Sequence, residues 1–293
     1  MRAKNPLIRP YLKWAGGKRQ LLPDIRKNIP KEFGHYYEPF VGAGAVFFDL
    51  QPKNAVISDA NTELINTYTT IKNDIDELIL LLKEFETKNN SKSFYEIRKQ
   101  DRDETYANKT NIEKAARFIY LNKTCYNGLY RVNAQGLFNT PFGNYDSPAI
   151  VNEPVIRAVS GYLNKQENNI RIVSEDFEQS TLGAKKGDFV YFDPPYHSPD
   201  KSNFTGYQSG GFNESEQERL FEVYEKLTSK GVLCMQSNSS TEYIKKLYAG
   251  FDILVVQANR PINSNSNNRG SVDEVLIMNW DKNEYKHSME NTF

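Results

Sequence analysis

Asp193, Pro194, Pro195 and Tyr196 follow directly on the apolar run DFVYF. Consecutive prolines fix φ and remove amide donors. Such a segment can turn its carbonyls and the Asp193 carboxylate toward one point. Asp193 and the Pro194 carbonyl then form two acceptors for an amino group, and Tyr196 offers a flat face for a planar ring. Acceptors on an exocyclic NH2 keep the nitrogen lone pair aimed at an electrophile, so the amine needs no prior deprotonation. The competing reading is an ordinary strand-ending turn.

A second constellation lies at Pro39, Phe40, Val41, Gly42, Ala43 and Gly44. Glycines between a strand and a helix allow a tight turn and close backbone approach to a ligand. The pattern differs from the dinucleotide GxGxxG and lacks the P-loop lysine. Asp59 falls just past the next apolar segment, where an acid accepts hydrogen bonds from ribose hydroxyls. Turn and acid together favour a nucleoside-bearing cofactor. A third motif, Tyr11 to Lys18 (YLKWAGGK), is an aromatic, glycine and lysine loop that opens a helix.

The elements that must position these residues are legible from periodicity. HYYEPF and NAVISD read as strands around an apolar helix, VGAGAVFFDL, which is a βαβ pattern. IRIV, DFVYF, GVLCMQSN, FDILVVQA and VDEVLIMNW read as further strands, alternating with helices in ESEQERLFEVYEKLTSK and TEYIKKLYAG. Between them, helical spacing recurs in LINTYTTI, IDELILLLKEF, FYEIRK and IEKAARFIYL, with a polar break at Lys88 to Ser93. Residues 126–145 carry Gly turns and no helical period, which suits a hairpin and loop. A helix near 152–164 closes this stretch. The expectation is an α/β fold whose catalytic part comprises residues 1–61 and 161–293, interrupted by a mainly helical insert over 62–160.

Composition narrows the function. The 293 residues carry 37 Lys plus Arg and 37 Asp plus Glu, so the formal charge is zero. That excludes a histone-like basic protein or an acidic tail, but not a local basic patch. Residues 1–31 hold nine basic residues against Asp24 alone, which hints at a polyanionic partner. With 18 Tyr and 17 Phe, the chain can build a sizeable core and still spare rings for stacking. No apolar run approaches the ~20 residues of a membrane span. The N-terminus lacks the apolar stretch of a signal peptide, and the chain is expected in the cytoplasm. Two cysteines far apart and three scattered histidines give no metal spacing, so no metal is expected.

Taken together, LKWAGGK, EPFVGAG, DAN, EDF and DPPY closely resemble the Dam/DpnM family of DNA adenine-N6 methyltransferases, in the motif order of its alpha group. RPINSNSNNRGSVDEVLIMNW resembles the family's closing hairpin. The resemblance spans nearly the whole chain. It implies a Rossmann-like methyltransferase sheet, mostly parallel with an antiparallel C-terminal hairpin, and S-adenosylmethionine as methyl donor. Cofactor contacts carry over to Trp14, Lys18, Phe40, Gly42, Gly44 and Asp59. Asp176 and Phe177 match the motif that contacts the cofactor adenine, although Glu175 stands where relatives often have Gly. Asp193, Pro194 and Tyr196 match the catalytic motif, with Asp193 also near the cofactor's methionine end. A duplex hides adenine N6, so the target base must rotate out and stack on Tyr196.

NKTCYNGLYRVNAQGLFNTPFGNY resembles the family's DNA-reading hairpin, with its YNGLxRxNxxGxFNxPFG pattern. Arg131 is the candidate base reader, since a guanidinium grips guanine O6 and N7. Tyr126 and Asn127 are candidates for contacts near the flipped base, and Leu129 and Pro141 for apolar contacts. Lys13 matches a family lysine near the first guanine. Asn144 stands where many relatives carry Arg. Lys114 and Arg117 are further candidates for phosphate contacts. The resemblance implies double-stranded DNA, 5′-GATC-3′ as site, and a restriction–modification setting with a cognate endonuclease. A housekeeping role is the other setting. Rival readings are methylation of another amino group, such as cytosine N4 or RNA adenine, and sequence-specific DNA binding without catalysis.

Overall fold

The structure is a computed structural model that describes residues 4–14, 18–199, 212–259 and 271–280. Gly16 and Gly17 of the N-terminal motif, and residues 260–270 of the segment RPINSNSNNRGSVDEVLIMNW, lie outside the described residues. The strands are β1 (Tyr36–Glu38), β2 (Asn54–Ser58), β3 (Asn169–Val173), β4 (Phe189–Phe192), β5 (Leu233–Ser239), β6 (Asp252–Asn259) and β7 (Ser271–Met278). They form one seven-stranded sheet in the order β3-β2-β1-β4-β5-β7-β6. Among the described residues, β7 is the strand that points opposite to the others, and it pairs antiparallel with β5 and β6. The expected Rossmann-like sheet with an antiparallel C-terminal hairpin is therefore present.

The strand sequences explain why the sheet is covered on both faces. Side chains alternate sides along a strand. Tyr36, Tyr191, Leu276 and Met278 enter one apolar cluster, while Tyr37, Val190, Phe192, Val275 and Ile277 enter the other. β4 is buried at all four positions, as a central parallel strand should be. β3 exposes Asn169 and Arg171, which keeps the sheet edge polar.

Helices α1 (Leu22–Asn28) and α2 (Ala45–Leu50) belong to the first half of the sheet. The insert contributes α3 (Thr62–Asn73), α4 (Ile75–Thr87), α5 (Ser91–Lys99) and α6 (Asn111–Thr124), closed by α7 (Glu153–Leu163). Three of these starts carry a side-chain cap. Asn61 caps α3, Asn90 caps α5, and Thr110 with Glu113 forms a reciprocal capping box on α6. Helix α6 is the insert's central rod, packed among α3, α4 and α5. The apolar cluster that begins at Tyr36 and Phe47 continues into Phe118 and Ile119, so insert and sheet share one core. Helices α8 (Phe177–Thr181), α9 (Glu214–Ser229) and α10 (Glu242–Leu247) belong to the second half. Among the described residues, no helix is long and apolar enough to cross a membrane.

Strand order reverses between β1 and β4, because β2 and β3 lie on one side and β4 and β5 on the other. Ligands in open α/β sheets bind outside the carboxyl ends of strands at such a switch point. The turn after β1, Asp59 after β2, Asp176 after β3 and Asp193 after β4 all lie at that edge.

Candidate active site

The turn after β1 is built by its glycines. Gly42 has φ +48° and Gly44 φ +72°, in the left-handed region that favours glycine. A Cβ on Gly42 would sit 2.8 Å from the Trp14 ring, and one on Gly44 2.8 Å from the Tyr68 hydroxyl. Asp59 accepts from the Gly42 N–H at 3.0 Å and the Asn61 N–H at 2.9 Å, so it shapes the turn. Phe40 stacks on Phe177 with centroids 5.4 Å apart. Asp176 caps α8 through the Glu178 N–H and takes both Arg219 terminal nitrogens at 2.8 Å. That ion pair holds its carboxyl below the usual range. The Glu175 side chain points outward to Arg171, while its backbone amide and carbonyl pair with the Ser58 hydroxyl. The Glu175 side chain is thus accommodated outside the turn.

Burial raises the Asp59 carboxyl from 3.8 to about 6. A raised carboxyl favours its protonated form in the fold. Its contribution to stability is present below about pH 4 and is lost as pH rises through about 6. The expected ribose contact has the opposite need, because hydroxyls donate best to the ionised acid. Cofactor affinity is expected to weaken as pH falls below about 6, and Asp59→Asn to remove that dependence. Calorimetric titrations across this pH range check it; identical profiles for both proteins would remove Asp59 from the binding edge.

Asp193 lies one residue beyond β4. Its Oδ1 accepts from Lys18 Nζ at 2.8 Å and from the Ser237 hydroxyl at 2.9 Å. Ser237 in turn accepts from the Tyr191 hydroxyl at 3.0 Å. Both donors converge on one oxygen, which leaves Oδ2 to accept from an incoming amine. Burial raises the Asp193 carboxyl despite the nearby Lys18 charge. Lys18 Nζ also lies 4.5 Å from the Tyr196 ring centroid, and so faces both acceptor and stacking surface. The turn beyond is fixed by the Gln217 side chain on the Pro195 carbonyl and by Asn238 accepting from the His197 N–H. Tyr196 donates to Glu274 at 2.8 Å. Glu38 at the end of β1 is buried, hydrogen-bonded by Tyr36, and held well above the ordinary carboxylate range by burial.

The hairpin of the insert begins where α6 ends. Isolated bridges pair Cys125 with Phe142 and Val132 with Phe138. Asn127 adopts φ +55°, tolerable for Asn, and its N–H donates to the Tyr145 hydroxyl. Asn144 has φ +53°, in the left-handed region that Asn visits more readily than most side chains. Tyr126 is 57% exposed, and Asn127, Arg131 and Pro141 are also exposed, while Leu129 is half-buried. Arg131 donates through Nε to the Asn139 side chain at 2.8 Å. Trp14 stacks between the cofactor turn and the hairpin, 5.8 Å from the Tyr130 ring. Asn122 grips the Lys13 backbone at both its N–H and its carbonyl, and also meets the Gly128 carbonyl. Lys13 Nζ then projects over the Tyr145 ring at 4.4 Å.

A family profile for D12 class N6 adenine-specific DNA methyltransferases matches residues 14–262. The chain belongs to that family. It is 43% identical to the Type II methyltransferase M1.LlaDCHI of Lactococcus lactis subsp. cremoris, over 94% of this chain and 98% of that protein. It is 41% identical to the Type II methyltransferase M.MjaIII of Methanocaldococcus jannaschii, over 93% and 99%. A DNA adenine methylase of Vibrio cholerae is 34% identical over 92% and 95%. The protein is thus an adenine-specific DNA methyltransferase, and the methyl donor of its class is S-adenosylmethionine. The cradle fits that group: carboxylates for a ribose diol and a sulfonium cation, aromatic rings for an adenine, and a turn already packed against Trp14.

The D12 methyltransferase fold brings every cofactor candidate to one edge, with Lys18 bound to Asp193 across the switch point. Arg117 is different. Its side chain is 1% exposed, inside α6, and donates to the Ile97 and Arg98 carbonyls and to Asp101 at 2.8 Å. It cannot reach a phosphate; a basic residue on an apolar helix had suggested a surface it does not occupy. Asp101 also accepts from the Phe138 N–H, and Arg102 donates to the Phe138 carbonyl. The cluster thereby clamps the hairpin to α6. Removing one partner of a buried ion pair costs about 3–5 kcal/mol. Arg117→Ala is expected to lower unfolding free energy by that order, measured by denaturant titration, and an unchanged midpoint would refute the clamp.

Sequence reasoning missed Ser237, Glu274, Asn122 and Arg219. Ser237 and Glu274 sit inside strand patterns where nothing marks them as polar partners. Asn122 lies mid-pattern in a helix.

Proposed function

We propose that this protein transfers a methyl group from S-adenosylmethionine to N6 of an adenine flipped out of double-stranded DNA, within 5′-GATC-3′. The observation that carries the reading is the converged carboxylate Asp193, with one oxygen anchored by Lys18 and Ser237, beside the Tyr196 ring at the switch point. When bound, S-adenosylmethionine supplies an electrophilic methyl group on a sulfonium. Tyr196 stacks on the target adenine and fixes its plane. Asp193 and the Pro194 carbonyl accept the two amino hydrogens, so the N6 lone pair points at the methyl in line. Orientation supplies most of the acceleration. The N6–CH3 bond would form as the donor's S–CH3 bond breaks, with its electron pair staying on sulfur as a neutral thioether. N6 would then release its extra proton to the Asp193 carboxylate or to water, and no prior deprotonation is required.

Phe40, Phe177, Asp59, Asp176, Gly42, Gly44, Trp14 and Lys18 are the proposed cofactor cradle. Residues 62–160 are the proposed recognition insert, with Arg131 reading a guanine, Lys13 beside it, and Tyr126, Asn127, Leu129 and Pro141 completing the exposed hairpin face. GATC rests on the match of the hairpin to its family pattern. A modification role in the cytoplasm, paired with a cognate endonuclease, is supported by the two similar proteins named as Type II methyltransferases.

The test is methyl incorporation from labelled S-adenosylmethionine into two duplexes differing only by GATC or GTTC, with digestion to nucleosides. N6-methyladenine in the GATC duplex alone is the expected result. Methylation of both duplexes discards GATC and keeps the chemistry. Methylation of a single strand but of neither duplex discards the double-stranded substrate.

A further inference from the structure

Tyr196 is tied at both ends of its side chain. Its backbone leaves β4 through the proline turn, and its hydroxyl donates to Glu274 Oε2 at 2.8 Å. Glu274 is 7% exposed and lies in β7, far along the chain from the proline turn. The β5–β7 register places it opposite Ser239, at the same sheet edge as the end of β4. The antiparallel reversal of β7 produces this placement, since it carries the start of β7 to the carboxyl ends of its neighbours. A buried carboxylate is costly unless it is hydrogen-bonded, so the phenol and the acid hold each other. A stacking ring otherwise rotates about two side-chain bonds, and a fixed hydroxyl removes that freedom.

We infer that Glu274 is a positioning residue for methyl transfer: through the Tyr196 hydroxyl it fixes the ring plane on which the target adenine lies, while Ser237 fixes the Asp193 carboxylate beside it. The inference rests on Tyr196 being the stacking face for adenine. Glu274 touches neither substrate nor cofactor and acts only through Tyr196. The closing hairpin then has a task in the reaction beyond completing the sheet. Its register sets the angle of the ring, and a slip of one residue would turn Glu274 to the other face.

The experiment compares wild type, Glu274→Gln, Glu274→Ala, Tyr196→Phe and Glu274→Ala with Tyr196→Phe, in single-turnover methyl transfer at saturating S-adenosylmethionine. Calorimetry gives cofactor affinity in parallel. Glu274→Ala and Tyr196→Phe are each expected to slow transfer by about tenfold or more, with cofactor affinity within about twofold of wild type. Glu274→Gln keeps an acceptor for the phenol and is expected to stay within about threefold. The double variant is expected to be no slower than the slower single variant, because both changes break one link. Multiplied effects in the double variant overturn the inference. So does wild-type transfer by Tyr196→Phe, which serves alone should Glu274→Ala not fold. A loss located wholly in cofactor affinity overturns it too. Wild type run alongside keeps two failures apart: inactivity on adenine overturns the assignment of Tyr196, whereas active wild type with multiplied effects overturns only the Glu274 link.

Discussion

Asp193→Asn is expected to fold, bind S-adenosylmethionine, and lose methyl transfer by on the order of 10²–10³-fold in a single turnover. The reason lies in which oxygen is already engaged. Lys18 and Ser237 both donate to Oδ1. An asparagine would keep its carbonyl oxygen on those two donors, which forces its NH2 into the place of Oδ2. A donor would then face the adenine amine, where the reaction requires an acceptor. Asp193→Ala removes the acceptor as well, but it also removes the carboxylate that pairs with the buried Lys18, so that variant is expected to lose stability besides activity. The asparagine variant therefore separates chemistry from folding. Thermal unfolding, calorimetry and single-turnover assays on both variants make the comparison. A wild-type rate in Asp193→Asn would remove the carboxylate from the reaction. The pH profile gives a further check. In the proposed reaction the ionised carboxylate is the active form, and burial raises its pKa. Activity is thus expected to fall on the acid side at a higher pH than an exposed aspartate would give.

What could be read from the sequence divides along a physical line. Strands and helices announce themselves through repeated apolar spacing, so β1 to β7 and the helices of the insert fall where periodicity places them. Residues at strand ends were also legible, because DPPY and FVGAG break the local pattern with proline and glycine. Partnerships across the sheet were not. Ser237 and Glu274 occupy ordinary strand positions, and only strand order and register bring them to Asp193 and Tyr196. Arg117 shows the converse failure. Charge suggests solvent, yet two carbonyls and Asp101 satisfy its guanidinium inside the insert. Pairwise satisfaction of buried polar groups depends on tertiary placement, which no local window contains.

Recognition should respond to Arg131 in a way that general DNA affinity does not. The Arg131 Nε donates to Asn139, and the Arg131 carbonyl accepts from the Asn139 N–H at 3.0 Å. One edge of the guanidinium is thereby fixed to the opposite arm of the hairpin. The two terminal nitrogens project from an exposed side chain, as a fork suited to guanine O6 and N7. A pre-aimed fork loses less freedom on binding than a mobile one. Arg131→Ala is expected to cost about 1–3 kcal/mol of discrimination at one guanine, roughly 5- to 150-fold in relative kcat/KM. Lys13→Ala provides the contrast. Its backbone is locked by Asn122, and its ammonium is a point charge over the Tyr145 ring. A phosphate contact there would weaken all duplexes alike and reduce the salt dependence of binding by about one ion. The assay compares GATC with duplexes altered at each position in turn, at several salt concentrations. Relaxed choice at one position with Arg131→Ala, and unchanged choice at the others, assigns base reading to that side chain. A uniform fall across all duplexes would instead make Arg131 a backbone contact and move sequence reading elsewhere on the hairpin.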